Sequence, residues 1–420
     1  MDIIEKSCKG DEKMTKQIWD ILVVGGGPAG LTAGIYGARS KMKTLILEKG
    51  RPGGQAATTE EMENYPGFGR GATGPNIMKS ITKHAEEFGV SIKKEFVSDL
   101  DLDGDIKIVT TKKGEEFYGK TVVLCPGANP RSLGIKGEKK FIGKGVSYCA
   151  TCDADFYEEL DVVVVGNGDA AIEEAIYLTK FAEKVTVIVI HDEGILDANK
   201  ASQEKAFANP KIDFIWNSVL DEIKGDGLVE TVAIKNLKTG EISEVETNGV
   251  FFFVGYVPNT EFLKGKIALD DHGYIIVNEK METSIPGVYA AGDANQKFLR
   301  QVVTAASDGA IAAFAADKYL AEEENFKMQV LDAKETVLVA FWSPQSEESI
   351  EAVSLLEQNI EQFTDTKLVK IDLYRNHLVA SRYNVNSIPT ILVFEKGEVV
   401  NRLSGLLKKD VIKELAANTN

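Results

Sequence analysis

The alternation of apolar and polar residues divides the chain into successive blocks. In the first, the apolar run Ile21-Leu-Val-Val24 leads into Gly25-Gly-Gly-Pro-Ala-Gly30, a stretch of small residues, and a second apolar run, Thr44-Leu-Ile-Leu47, that ends in Glu48. Short apolar runs bounded by glycine read as buried strands and the small-residue stretch between them as a helix, so residues 18–50 predict one βαβ unit. The same order returns at residues 161–191: Asp161-Val-Val-Val-Val165, then Gly166-Asn-Gly-Asp-Ala-Ala171, a helical stretch, and Val185-Thr-Val-Ile-Val-Ile190. The chain therefore holds a pair of nucleotide-type half-domains. The acidic run Ala321-Glu-Glu-Glu-Asn325 then interrupts the apolar pattern and reads as a linker. Beyond it, residues 337–342, 368–373 and 390–394 predict strands of a separate module, divided by helical stretches. The absence of short-period repeats and low-complexity tracts argues against a solenoid.

Composition narrows the possible partners. The 420 residues, 44% hydrophobic, are enough for roughly two to four domains with ample core. A net charge of −16 repels phosphate, which disfavours nucleic acid and anionic membranes as main partners. No stretch approaches the ~20 apolar residues of a membrane span. The charged start MDIIEKSCKGDEK lacks the apolar core of a secretory signal, so a cytoplasmic location is expected. Four cysteines are too few for a disulfide scaffold, which points the close pair Cys149 and Cys152 toward chemistry.

Each motif has a physical reading. Gly25, Gly27 and Gly30 follow a strand and open a helix, where unpaired backbone N–H groups and the helix dipole favour a pyrophosphate. Glu48, at the end of the next strand, can accept ribose hydroxyls. The segment Cys149-Ala-Thr-Cys152-Asp153 falls at the expected start of a helix, a setting that stabilises a thiolate and allows a small reversible disulfide. A zinc site would need two more ligands, and Cys8, Cys125 and the four histidines lack ligand spacing, so no metal is expected. Asp153 suits a general acid or base for a departing thiolate, or an N-cap. Cys125 reads as buried packing, and Cys8 as an incidental thiol.

Gly53-Gly-Gln55, Glu63-Asn-Tyr-Pro-Gly67, Gly145-Val-Ser-Tyr-Cys-Ala-Thr-Cys-Asp153, Gly255-Tyr-Val-Pro-Asn259 and Ala291-Gly-Asp293 through Arg300-Gln301 together resemble the low-molecular-weight flavin thioredoxin reductases, over about residues 18–320. The resemblance implies an α/β homodimer with two Rossmann-like domains. An FAD domain, 18–130 plus 260–322, would bracket a pyridine-nucleotide-type domain, 131–259, that carries the cysteines. It implies FAD contacts from Gly25, Gly27, Pro28, Ala29, Gly30, Glu48, Gly54, Gln55, Asn64 and Gly127. Gly292 and Asp293 would lie on the phosphate and ribityl side, with Arg300 and Gln301 near the isoalloxazine. Cys149 would be the sulfur exposed to a thioredoxin-like partner, Cys152 the one nearer flavin, and Asp153 the proton source.

Two departures stand out. NADPH-dependent relatives carry a His-Arg-Arg-x-x-x-Arg signature that grips the 2′-phosphate, whereas this chain has Val189-Ile-His-Asp-Glu-Gly-Ile195, with Ile190, His191 and Ile195 at the arginine positions. NADPH is therefore disfavoured. As far from Gly166 as Glu48 is from Gly25 stands Val189, which cannot accept ribose hydroxyls, so NADH is disfavoured too unless Asp192 substitutes. The pattern resembles a ferredoxin-dependent subgroup of these reductases, although like charge would slow an acidic ferredoxin. An altered NAD(P)H site and a second flavin in the vacated site remain open. The tail, 326–420, resembles a thioredoxin fold in which Ser343-Pro-Gln-Ser-Glu-Glu-Ser349 stands where Cys-Gly-Pro-Cys is expected and Ala340 replaces the buried acid. It reads as a docking or regulatory module, or as an appended domain that only adds interface. A non-catalytic flavin and thiol redox-responsive binding protein is the alternative class.

Overall fold

The structure is a computed structural model that describes residues 16–405, apart from 60, 61, 63 and 374–376. Cys8, and Glu63 of the Glu63–Gly67 motif, lie outside the described residues. The chain divides into two compact units, Met1–Phe314 and Ala315–Asn420.

The first unit is built on two main sheets. In one, the parallel strands Ser91–Lys94, Thr44–Glu48, Ile18–Val24 and Glu116–Leu124 lie side by side in that order. The antiparallel Lys107–Thr111 and Val97–Asp101 extend the edge. Strand Val288–Ala290 returns from far along the chain to pair with Val122–Leu124. The second sheet is wholly parallel, in the order Ile212–Ile215, Lys184–Ile188, Asp161–Val165, Gly249–Phe252 and Val146–Ser147.

Continuous apolar runs suit parallel strands covered on both faces. Val162 and Val164 pack with Ala171, Ile172 and Ala175 of helix Asp169–Leu178, while Val163 and Val165 meet Ile223, Val232 and Ile234 of the antiparallel sheet Ser218–Lys224, Thr231–Asn236 and Ile242–Glu246. Each of these valines is at most 6% exposed, so burial of each contributes about 1.5–3 kcal/mol. A short antiparallel ribbon, Ala128–Pro130 with Tyr256–Pro258, marks where the chain leaves the first sheet for the second and comes back.

In the second unit, the strands Thr366–Asp372, Thr336–Trp342, Thr390–Glu395 and Glu398–Ser404 form one mixed sheet, with helix Glu347–Asn359 packed beside its central strand and a cis peptide at Ile388–Pro389. One expectation fails here. The acidic run 321–325 is not an irregular linker but part of the helix Val302–Phe326, because alanine and glutamate are strong helix formers and override the polar, linker-like composition.

Candidate active site

The first glycine turn forms an open cradle. Gly25 has φ +105°, and a Cβ there would collide with the Cys125 carbonyl; a Cβ on Gly30 would strike the Gly25 carbonyl. Both positions require glycine for close backbone packing. Gly27 caps helix Pro28–Arg39 with extended backbone and nothing nearer its Cβ direction than the Gly54 Cα at 3.9 Å, so the helix N-terminus presents free space. Pro28 opens the first turn without a donor to lose, and Ala29 lies against the Cβ position of Gly292 at 3.0 Å. The buried Glu48 carboxylate accepts from Gly26 N at 2.6 Å and Gly50 N at 2.7 Å.

Gly292 donates its N–H to Asp308 at 3.0 Å, and Asp308 pairs with the largely buried Lys297 at 2.6 Å. Asp293 has a buried Oδ1 with no hydrogen-bond partner among the described residues, and burial pushes its pKa up against the opposing pull of Lys297 and Arg300. Among the described residues, Arg300 has no ion-pair partner within 4.0 Å. Its guanidinium donates to the Asp293 and Asn295 carbonyls at 3.3 Å and lies over the Tyr274 ring at 4.3 Å. Gln55 donates to Asn129 Oδ1 at 2.9 Å and to the Ala128 carbonyl; Asn129 donates to Asn259 at 2.9 Å, and Asn259 to the Pro126 carbonyl beside Gly127. These amides tie both ribbon strands to the cradle. The sequence named Asn259 only within a motif and missed Asn129.

Cys149 and Cys152 form a disulfide, with Cys149 as the N-cap of the short helix Ala150–Asp153. Ser147 accepts the Cys149 N–H at 3.1 Å and donates to Asp153 Oδ2 at 2.5 Å, so one hydroxyl bridges Cys149 and Asp153. Tyr157 is held near a pKa of about 12 by burial, and by the negative charge of Asp153. From the far end of the chain, Gln301 donates to Thr151 Oγ1 at 3.2 Å and to Cys149 Sγ at 3.8 Å, while its own carbonyl accepts from Asn64 at 3.1 Å. Gln301, expected at the flavin, thus reaches the disulfide, and Asn64, expected there too, reaches Gln301.

Comparison with known proteins fits this arrangement. Residues 19–309 match the pyridine nucleotide-disulphide oxidoreductase family and residues 318–418 the thioredoxin family. The thioredoxin reductase of Peptoclostridium acidaminophilum is 52% identical over 318 residues, covering 74% of this chain and 99% of that protein. This chain belongs to the thioredoxin reductase family of pyridine nucleotide-disulphide oxidoreductases. The Bacillus subtilis thioredoxin reductase is 41% identical over 308 residues, 73% of this chain and 96% of that one. The solved thioredoxin reductase of Streptococcus pyogenes is 45% identical, covers 73% of this chain and 99% of that chain, and superimposes with a TM-score of 0.69.

As a member of this family the chain is an FAD-dependent disulfide oxidoreductase, and its residues fit that cofactor. The glycine cradle leaves room at a helix N-terminus, and the buried Asp293 oxygen has no donor among the described residues to satisfy it.

The second glycine turn is built differently from the first. Val189 is fully buried in the core beneath helix Asp169–Leu178, so the position that corresponds to Glu48 offers no acceptor. Ile190 and Ile195 are 51% and 53% exposed, and His191 Nε2 lies 3.1 Å from Asp197 Oδ2, which also accepts from Asn167 at 3.0 Å. Asp192 pairs with Lys238. At the helix start, Asp169 accepts from Asn199 N and Nδ2 at 2.6 and 2.9 Å, which lowers its pKa and keeps a negative charge at the mouth of the turn.

In the second unit the absent thiols are replaced by a serine network. Ser346 caps helix Glu347–Asn359, and the fully buried Ser349 donates to the Ser343 and Ser346 carbonyls at 2.9 Å while accepting from Ser343 N at 3.0 Å. Ala340 is buried at the position expected for an acid.

Proposed function

We propose that this chain, acting as a cytoplasmic homodimer, reduces the disulfide of a thioredoxin or thioredoxin-like protein, with reduced ferredoxin rather than NADPH as the electron donor. The observation that carries the reading is the Cys149–Cys152 disulfide, touched by Gln301 from the segment that follows the orphaned Asp293. FAD supplies the exchange between single-electron and paired-electron transfer. The chain's own residues do the rest. Once reduced, the Cys149 thiolate attacks a partner sulfur, a mixed disulfide forms, and the partner's other sulfur leaves and is protonated. Cys152 then attacks Cys149 Sγ, which restores the internal disulfide and releases the partner as a dithiol. Asp153, hydrogen-bonded to Ser147, is the proton donor to the departing partner thiolate.

The donor assignment rests on the second cleft. Its exposed Ile190 and Ile195 carry no donor for a 2′-phosphate, and its carboxylates Asp169 and Asp197 repel one. The name of the Peptoclostridium acidaminophilum relative supports thioredoxin as the substrate. The test is steady-state reduction of a thioredoxin disulfide under anaerobic conditions, with reduced ferredoxin, NADPH and NADH offered in turn. Turnover with ferredoxin alone, lost in Cys149→Ser, is expected; efficient turnover with NADPH refutes the donor assignment, and turnover that survives Cys149→Ser refutes the dithiol route.

A further inference from the structure

We infer that Asn129 and Asn259 fix the Gln55 side chain as a hydrogen-bond acceptor only, so that Gln55 Oε1 takes an N–H or O–H donor of bound FAD. The inference rests on FAD binding and is independent of the electron donor and the protein substrate.

The hydrogens of the three amides are assigned from the two ends inward, because each end rests on a backbone carbonyl, which only accepts. Asn259 lies 2.9 Å from the Pro126 carbonyl, so Nδ2 faces that oxygen and Oδ1 turns to Asn129. Asn129 therefore presents Nδ2 to Asn259 at 2.9 Å and Oδ1 to Gln55. At the other end, the Gln55 nitrogen that lies 2.9 Å from Asn129 Oδ1 also donates to the Ala128 carbonyl. Turning all three amides over together keeps the contacts between side chains but sets oxygen against oxygen at both Pro126 and Ala128. One polarity alone satisfies every contact. In it, one Gln55 hydrogen goes to Ala128 and the other to Asn129, and Oε1 has no partner among the described residues.

The three amides stand at the cradle. Gln55 is exposed and follows Gly54, whose Cβ direction meets the Gly27 Cα at 3.2 Å beside the N-terminus of helix Pro28–Arg39. Its two acceptors, on Ala128 and Asn129, directly follow Gly127. A glutamine free to turn about its last bond offers oxygen or nitrogen alike; the two asparagines remove that freedom before the cofactor binds, which lowers the ordering cost of binding. An acceptor without a hydrogen to give also selects its ligand atom. The FAD pyrophosphate carries acceptors only and does not fit. The imide N–H of the isoalloxazine ring and the hydroxyls of the ribityl chain do. Asn129 and Asn259 act through Gln55 and are positioning residues.

The test reads FAD affinity and needs no turnover. The full chain is stripped of flavin and titrated with FAD, with N3-methyl FAD and with FAD analogues that each lack one ribityl hydroxyl, and binding is followed by flavin fluorescence. Gln55→Leu is expected to raise the Kd for FAD about tenfold. Asn129→Leu and Asn259→Leu each raise it about threefold, and neither raises it further in the Gln55→Leu background. The analogue that lacks the matching donor binds the wild type about tenfold more weakly than FAD does and loses that difference in Gln55→Leu. N3-methyl FAD in that role assigns the donor to the ring imide, and a deoxyribityl analogue assigns it to the side chain of the flavin. A wild-type Kd in Gln55→Leu overturns the inference, as do asparagine effects that add in full to that of Gln55→Leu. So does a wild type that binds every analogue as it binds FAD, an arm that depends on no variant. A chain that binds FAD as expected but reduces no thioredoxin sinks only the reductase reading.

Discussion

Restoring the missing cations is the sharpest test of why the second nucleotide cleft would reject NADPH. Ile190 and Ile195 are about half exposed, so arginines placed there extend into solvent without disturbing the core that buries Val189. Each guanidinium that reaches a 2′-phosphate adds a charge-assisted contact of roughly 1.5–3 kcal/mol. An arginine at 191 is partly diverted, because Asp197 already lies 3.1 Å from the His191 ring. With two effective contacts, the triple variant Ile190→Arg, His191→Arg, Ile195→Arg gains about 10² to 10⁴-fold in kcat/KM for NADPH. NADH, which has no 2′-phosphate, gains far less. Adding Asp197→Asn frees the third guanidinium and raises the NADPH gain further. The assay is anaerobic stopped-flow bleaching of the flavin over a series of NADPH and NADH concentrations. Rapid bleaching of the wild type that saturates at micromolar NADPH refutes the reasoning, and so does a triple variant that improves equally with both nucleotides.

Three further predictions follow from the same geometry. A carboxyl whose folded pKa is raised stabilises the fold only at low pH and loses that contribution as pH rises through the folded value. The FAD-free protein therefore loses stability as pH climbs above the ordinary carboxylate range; Asp293→Asn flattens that slope, stabilises the FAD-free form by about 1–3 kcal/mol at neutral pH and weakens FAD retention, and unchanged thermal melts across pH would count against it. With a net charge of −16, the encounter with an acidic ferredoxin is slowed by repulsion, so its rate constant rises as salt shortens the screening length; a rate that falls with salt points instead to a local attractive patch. Ser349→Ala leaves Ser343 N without its acceptor and costs the second unit about 1–3 kcal/mol. This is read from the denaturant midpoint of Trp342 fluorescence in a Trp19→Phe, Trp216→Phe background, and an unmoved midpoint shows that the network adds no stability.

The fold is largely legible in the sequence because it rests on local signals. Apolar runs that alternate with glycine turns mark parallel strands, and the tail's apolar segments mark a separate sheet. The misread segment, 321–325, carries linker-like charge but helix-forming residues, and the helix Val302–Phe326 absorbs it. Counting forward from each glycine turn distinguishes Glu48, which the Gly26 and Gly50 N–H groups hold at the first cleft, from the buried Val189 at the second. What the sequence does not reveal is the wiring between distant segments. Gln301 meets Thr151, Asn129 meets Asn259 and Asn199 meets Asp169 through single polar side chains, and such contacts leave no periodic imprint. The serine network of the tail is hidden for the same reason, since Ser343 and Ser349 read as loop polarity and are buried.

The central claim is that electrons reach a partner disulfide through a flavin and the Cys149–Cys152 pair. Reductive titration of the anaerobic, FAD-loaded protein with dithionite, followed by addition of oxidised thioredoxin, tests it most directly. The wild type is predicted to take up two more electron equivalents than Cys149→Ser and to return them to thioredoxin at once, while the variant's flavin stays reduced. Equal uptake by both proteins, or a purified chain that binds no FAD, contradicts the account.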